Sequence, residues 1–206
     1  MLNNKIFFLF LIVLLSSAQS FSQKVNVTVE MDNKISDPKS DMIYYDFDRP
    51  LTWADFQGKP DMNHFGSAVT ASGFAFNSEI NYNESNADLV IHVYTYFSKE
   101  RSWQKPNVST PYHLEHEQHH FDITRLGAEK FVDELKKANF TVKNYKTLIN
   151  SIFNKVYKEN NDLQQQYDSE TKNSLNVAKQ KEWNEKISME INRVKKGALV
   201  KNSQVN

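Results

Sequence analysis

The chain has 206 residues, in which 25 Lys and Arg balance 25 Asp and Glu, with six His and no Cys. This length suits one domain with an appendage, and a net charge of zero argues against the basic surface that nucleic-acid binding requires. The lack of cysteine excludes disulfides, thiolate metal sites and thiol nucleophiles. A metal site would therefore have to use His, Asp or Glu.

The first 22 residues have the features of a bacterial Sec signal peptide. Lys5 precedes an unbroken apolar run at residues 6–15, and small residues suited to cleavage follow at 16–22. The run is too short to span a bilayer, which takes roughly 20 residues. We therefore expect a secreted or periplasmic protein without a transmembrane span after cleavage; the alternative is an uncleaved anchor helix.

The next part of the chain predicts a small antiparallel sheet. Residues 23–40 are polar and carry alternating valines, which suits either a polar leader or an edge strand. From about 42 to 103 the hydrophobic period is mostly two. Residues 88–97 (DLVIHVYTYF) form the strongest predicted strand, because β-branched and aromatic side chains dominate it.

Three helices are predicted after the sheet. Thr110 suits an N-cap and Pro111 a first helical position, and a period of 3.6 continues to about residue 138. Further helices are expected at about 144–167 and 176–194. The predicted fold class is thus α+β, with one domain at 41–196 and a flexible tail at 197–206. We expect the protein to be a monomer.

Four of the six histidines lie within residues 113–120, and His116, Glu117 and His120 form an H-E-x-x-H motif. Positions i and i+4 share one helical face, so both imidazoles can bind one Zn²⁺ at about 2.0–2.1 Å. The Glu beside the first His can take a proton from a metal-bound water. Gly127 lies on the same helical line and is expected to leave the surface there unobstructed.

The sequence gives weaker evidence that the remaining histidines belong to the site. His119 is expected to be exposed on the polar side of the helix. His113 lies on the ligand face two turns from His120, where it could contact a substrate. His64 and His92 are isolated; we expect His92 to be structural, although either could approach the site from the sheet.

The third metal ligand is not fixed by the motif. The extended form H-E-x-x-H-x-x-G-x-x-H is absent, because Leu126 occupies the position of its last histidine, six residues after His120. A catalytic zinc needs three protein ligands and one open position. The acidic candidates lie on the second helix or just beyond it: Glu159 on the helix, and Asp168 and Glu170 after it.

Several strings of residues resemble a known family when taken together. They are Trp53-x-Asp55-Phe56-x-Gly58-x-Pro60-Asp61, Ser102-Trp103, His116-Glu117-Gln118-x-His120-Phe121-Asp122-Ile123, Tyr167-Asp168-x-Glu170-Thr171 and Gln180-x-x-Trp183-Asn184. They resemble bacterial exported proteins of unestablished function, common in Bacteroidota and described as predicted secreted zinc-dependent proteases. The resemblance covers roughly residues 42–190 and implies a zincin-like domain, with His116 and His120 as ligands and Glu117 as general base.

One position departs from the family pattern. The family has a histidine shortly after Tyr-Asp-x-Glu-Thr, where this chain has Asn173. If that histidine is the family's third ligand, Asn173 is a poor substitute. If Asp168 or Glu170 is the ligand, nothing essential is lost, and Tyr167 could donate a hydrogen bond to the oxyanion of the reaction. Plain packing would also suit Tyr167.

The function expected from these features is that of a secreted or periplasmic zinc metallopeptidase acting on an unidentified peptide or protein. One alternative is a non-catalytic metal-binding or envelope interaction protein on a degenerate zincin scaffold. Another is an envelope module that binds a partner through its aromatic sheet edge, with incidental histidines. The first two require a metal, and the third does not.

Overall fold

A computed structural model of the chain describes residues 24–32, 34, 36–83 and 86–203. The predicted signal peptide lies outside the described residues. Six strands precede three long helices, in agreement with the predicted α+β class. The strands are β1 (Lys24–Met31), β2 (Met42–Tyr44), β3 (Ala68–Val69), β4 (Ser72–Tyr82), β5 (Asn86–Ser98) and β6 (Trp103–Gln104). The helices are α1 (Pro111–Lys137), α2 (Tyr145–Thr171) and α3 (Val177–Ser203), and a short 3₁₀ helix spans Trp53–Asp55.

The main sheet is built around β5. Strand β4 pairs with it antiparallel along one edge. On the opposite edge, β1 pairs in parallel with the first part of β5 and β2 pairs antiparallel with its end. The strands within the predicted region at 42–103 pair antiparallel, but β1 adds a parallel strand from outside that region, so the sheet is mixed and not purely antiparallel. The edge-strand alternative, rather than a polar leader, describes residues 24–31.

The core lies between the sheet and α1. Side chains of β5 alternate between buried and partly exposed, as expected for a strand with one face on a core. Its buried face packs against the apolar stripe of α1. The cluster includes Val29, Phe74, Leu89, Ile91, Val93, Ala128, Phe131, Val132 and Leu135.

The opposite side of α1 is covered by the other two helices. Ile123 of α1, Tyr167 of α2, and Trp183 and Ile187 of α3 form a separate buried cluster. A third cluster, which includes Phe97 and Phe121, covers the first half of α1. Because α1 is packed on several sides, side chains on its polar face are also buried. The same packing places α2 against the H-E-x-x-H motif.

Helix α3 continues to Ser203 and so includes part of the segment predicted as a flexible tail. Among the described residues, none of the helices combines the length and the apolar character that a membrane span requires.

Candidate metal centre

The first helix begins as its sequence predicts. Thr110 is extended, its side chain accepts a hydrogen bond from the backbone N–H of His113, and Pro111 follows at the first helical position. From this fixed start, His116 and His120 lie one turn apart, with ring centroids separated by 4.9 Å. Both line a cavity of about 320 Å³ between α1, α2 and the segment that leads into β4. The helix therefore presents both imidazoles to one space.

A carboxylate from α2, that of Asp168, joins His116 and His120 to form the metal group. Asp168 Oδ1 lies 3.2 Å from His116 Nε2 and 3.0 Å from His120 Nε2. One atom from each of the three residues lies within 4.8 Å of the others, as metal ligands require. In a tetrahedral site with bonds of 2.0–2.1 Å, neighbouring ligand atoms are separated by about 3.3 Å. The observed N–O distances fit that spacing.

Two glutamines orient the imidazoles. Gln180 Oε1 lies 2.8 Å from His116 Nδ1, and Gln164 Oε1 lies 2.5 Å from His120 Nδ1. The orientation of the Gln164 amide is fixed because its Nε2 donates to the carbonyl oxygen of His120 and to Thr124 Oγ1. Since an amide oxygen can only accept, each Nδ1 carries the proton and each Nε2 faces the cavity.

Three hydrogen-bond acceptors therefore face one another, an arrangement that is stable only when a proton or a metal cation lies between them. In neutral imidazoles with Nδ1 protonated, both Nε2 atoms have lone pairs, and the carboxylate of Asp168 also accepts. Burial lowers the pKa of His120, but the hydrogen bond and charge of Asp168, with the charge of Glu117, raise it to about 9. Burial also raises the pKa of Asp168, yet the two histidines hold it well below its ordinary value. The site thus favours a bound proton or metal ion.

Glu117 lies beside this group. It is 5% exposed and lines the same cavity. The hydroxyl of Thr70 donates to Glu117 Oε2 at 2.7 Å, and it also lies 3.1 Å from the backbone carbonyl of Glu117. Thr70 follows β3, so the sheet side of the cavity holds the carboxylate in place. A carboxylate fixed this way can accept a proton from a water molecule in the cavity.

Tyr167 packs inside the protein and does not line the cavity. Its ring is fully buried and stacks on the imidazole of His116, with centroids 4.6 Å apart. Its hydroxyl accepts from Gln180 Nε2 at 2.6 Å and lies 3.4 Å from the carbonyl oxygen of His116. Burial raises the pKa of this phenol. The hydroxyl is thus committed to internal partners and is not aimed at the oxyanion of a substrate.

The other acidic candidates lie away from the metal group. Glu159 forms an ion pair with Lys130 at 2.9 Å. Glu170 accepts from the indole N–H of Trp183 at 2.9 Å. Asn173 does line the cavity, in a left-handed turn between α2 and α3. Of the predicted third ligands, only Asp168 joins the two histidines.

The remaining histidines divide between the cavity and the scaffold. His113 and His64 both line the cavity. His92 lies 3.6 Å from Glu30 on the sheet, in keeping with a structural role. The predicted exposure of His119 is wrong: it is 4% exposed, with Nδ1 2.9 Å from Asp122 Oδ2. Its side of α1 is covered because Tyr45 also reaches Asp122.

Gly127 has a different role from the one predicted. A Cβ at this position would lie 2.5 Å from Nδ2 of Asn160. That amide donates to the carbonyl oxygen of Ile123 at 2.8 Å. The glycine therefore allows α2 to approach α1 closely instead of leaving the surface open.

Sequence reasoning missed the supporting groups Thr70 and Gln164, and it quoted Gln180 only as part of a motif. Gln164 lies one turn before Asp168 on α2, so the helical spacing could have indicated it. Thr70 lies far from Glu117 in sequence, in the short connection between β3 and β4. No local pattern marks it.

Residues 98–174 match the family model described as "Bacterial protein of unknown function (DUF922)". The match spans 77 of the 206 residues. The matched segment contains α1 and α2, and hence all three residues of the metal group. No curated protein matches the chain. No solved structure matches it.

Proposed function

We propose that this protein is an exported zinc-dependent hydrolase of peptide bonds, a metallopeptidase with a zincin-like site. The observation that carries the proposal is the convergence of His116 Nε2, His120 Nε2 and Asp168 Oδ1 beside Glu117 in one cavity. The sequence motif alone could be a solvated helix surface. Its combination with a carboxylate from another helix and with amide oxygens behind both imidazoles favours a metal.

The donor set favours zinc among the common divalent ions. Two imidazoles and one carboxylate match the three-ligand catalytic zinc sites, which keep a fourth position open. Calcium and magnesium prefer sites made largely of oxygen ligands. The oriented Nδ1–H groups also match the outer partners that fix ligating histidines. His116, His120 and Asp168 would hold the ion.

A bound zinc ion supplies polarisation of the scissile carbonyl and a water of lowered pKa. Glu117 would accept one proton from a water molecule in the cavity at its carboxylate, while the hydroxyl of Thr70 holds Oε2 in place. A new C–O bond forms at the carbonyl carbon, the C–N bond breaks, and Glu117 returns the proton to the leaving nitrogen. Each cycle thus consumes one water and yields a carboxylic acid and an amine.

The departure at Asn173 does not weaken this proposal. Asp168 fills the third position in the group, so a ligand at residue 173 is not required. The non-catalytic alternative on a degenerate scaffold therefore becomes an outcome of the test below. The export part of the proposal rests on residues 1–22 alone.

The test measures metal content and hydrolysis on matched variants. Purified protein is expected to bind one equivalent of zinc and to cleave peptides from a mixed library. Glu117→Gln should retain zinc and lose hydrolysis. Glu115→Gln is the control, because Glu115 is exposed on the same helix. Its activity should be unchanged.

The outcomes separate the candidate functions. Zinc binding without hydrolysis that depends on Glu117 would support the non-catalytic metal protein. The lack of any metal binding would refute both metal-based functions and leave a module that binds through its sheet edge. Equal loss of activity in both glutamine variants would also count against Glu117 as the base.

A further inference from the structure

The segment that leads into β4 lines one side of the cavity and runs in the same direction as α1. Thr70 contacts Glu117, and the Ser72 hydroxyl lies 2.7 Å from that of Thr124. Further along, the ring of Phe74 packs against Phe131, with centroids 6.0 Å apart. The chain therefore enters the cavity wall near the start of α1 and follows the helix toward its middle.

Helix α2 runs the opposite way along the same cavity. Tyr167 lies at His116, and Gln164 lies at His120. Tyr157 comes earlier in α2 and contacts Phe74, with ring centroids 6.1 Å apart. Tyr157 and Asp168 are eleven positions apart on one helix, which is about 16 Å along its axis. Tyr157 thus marks the end of the cavity that lies toward the middle of α1.

The other end of the cavity carries a second exposed aromatic side chain. Phe65 stacks on His64 with centroids 4.6 Å apart, and His64 meets Trp103 edge-on at 5.4 Å. Trp103 belongs to β6, and Ser109 at the start of α1 donates to Gln104 of that strand. Phe65 therefore lies toward the N-terminal end of α1, and the metal group lies between Phe65 and Tyr157.

Both aromatic side chains line the cavity while remaining accessible. Phe65 is 79% exposed and Tyr157 is 44% exposed. Large exposed aromatics rimming a polar cleft mark a binding surface. An extended peptide advances about 3.3 Å per residue. The 16 Å between Tyr157 and Asp168 thus accommodates about five residues on that side of the metal group.

The cavity provides no Lys or Arg for the C-terminal carboxylate of a peptide. Among the described residues that line it, none has either of these side chains. Its two carboxylates already have partners inside the site: Glu117 accepts from Thr70, and Asp168 contacts the two histidines. A terminal carboxylate would therefore be desolvated there beside two acidic side chains, which is costly, and a terminal amino group would compete with the partners of those side chains.

Building on the proposed function, we propose that the site acts on internal bonds of extended polypeptide segments with an apolar side chain on each side of the cleaved bond. Phe65 and Tyr157 are the residues that determine this preference, one on each side of the metal group. Exposed amide and hydroxyl groups between them, such as Asn161, suit the peptide backbone. The substrate class is thus an unfolded or flexible protein segment, rather than a chain terminus.

Binding is tested on the zinc-loaded Glu117→Gln protein, so that cleavage is not needed. The probes are fluorescent fourteen-residue peptides with one phenylalanine about five residues from the central bond on each side, with termini either free or blocked by acetyl and amide groups. Blocked and free peptides should bind equally well. Replacing both phenylalanines by aspartate should weaken binding at least tenfold.

Matched variants assign the preference to the two side chains. Phe65→Ala and Tyr157→Ala should each weaken binding of the phenylalanine peptide about tenfold, because each removes the apolar surface that would pack against one phenylalanine. Met62→Ala and Tyr82→Ala are controls, because these exposed side chains do not line the cavity. They should leave binding unchanged.

The result separates this inference from the proposed function. Tight binding that needs a free terminus, equal binding of the aspartate peptide, or no peptide binding would overturn the inference. A preference for a neutral oligosaccharide over all peptides would also overturn it. If the phenylalanine peptides bind as expected but wild-type protein does not cleave them, the hydrolytic function fails while the binding preference stands.

Discussion

Removal of the amide behind His120 should weaken zinc binding without touching a metal ligand. Gln164 Oε1 lies 2.5 Å from His120 Nδ1, where it fixes the ring and its protonation. Gln164→Leu removes this acceptor and leaves a buried N–H without a partner. Losing such an outer contact typically reduces metal affinity by about 10- to 100-fold. This corresponds to about 1.4–2.7 kcal/mol.

The assay is a competition titration against a chromophoric zinc chelator at one pH. Gln165→Leu is the matched control, because Gln165 is the exposed neighbour on the same helix. Its zinc affinity should equal that of the wild-type protein. Gln164→Glu keeps an acceptor oxygen for Nδ1, so it should retain most of the affinity.

Stability must be measured on the same proteins, because the Gln164 amide also donates to the carbonyl oxygen of His120 and to Thr124. Loss of these bonds should lower the free energy of unfolding of metal-free Gln164→Leu by about 1–3 kcal/mol. Equal zinc affinity in folded Gln164→Leu and Gln165→Leu would refute the orienting role. An equal loss in Gln164→Leu and Gln164→Glu would show that the acceptor is not what matters.

Three further predictions follow from the same geometry. Glu159→Gln should leave zinc affinity unchanged in the chelator titration, because Glu159 pairs with Lys130 instead; a tenfold loss would contradict this assignment. Gly127→Ala should lower the free energy of unfolding in urea by about 1–3 kcal/mol, since the added Cβ would meet Asn160 at 2.5 Å; an unchanged midpoint would disprove the close contact. Because the pKa of His120 is raised to about 9, zinc must displace a proton below that pH, and apparent affinity should fall about tenfold per unit as pH decreases from 8 to 7. Affinity independent of pH over this interval would show that no such proton is displaced.

The sequence predicted the parts of the site that depend on local helical spacing. Thr110 and Pro111 mark the start of α1, and H-E-x-x-H places His116 and His120 on one face. Asp168 could be named only as one of three acidic candidates, because the third ligand was expected on the second helix or just beyond it. The choice among them needed the packing of α2 against α1, which depends on contacts such as that between Gly127 and Asn160.

Features that depend on distant contacts could not be predicted from the sequence. The alternating valines of β1 suit a strand, but its parallel register with β5 depends on tertiary packing. The burial of His119 has the same origin. A helical wheel shows one apolar stripe on α1, whereas Tyr45, far away in sequence, contacts Asp122 on the polar side. Local periodicity cannot reveal that such a face is buried.

The three metal-site residues come from two helices, and Asp168 follows His120 by 48 residues. Under the proposed function, an ion held there is a removable cross-link between α1 and α2 that the unfolded chain lacks. Free zinc at 100 times its dissociation constant would add about 2.7 kcal/mol to the stability of the fold. If the protein is exported as proposed, its lifetime would then depend on the zinc content of its surroundings, with faster proteolysis where the ion is scarce.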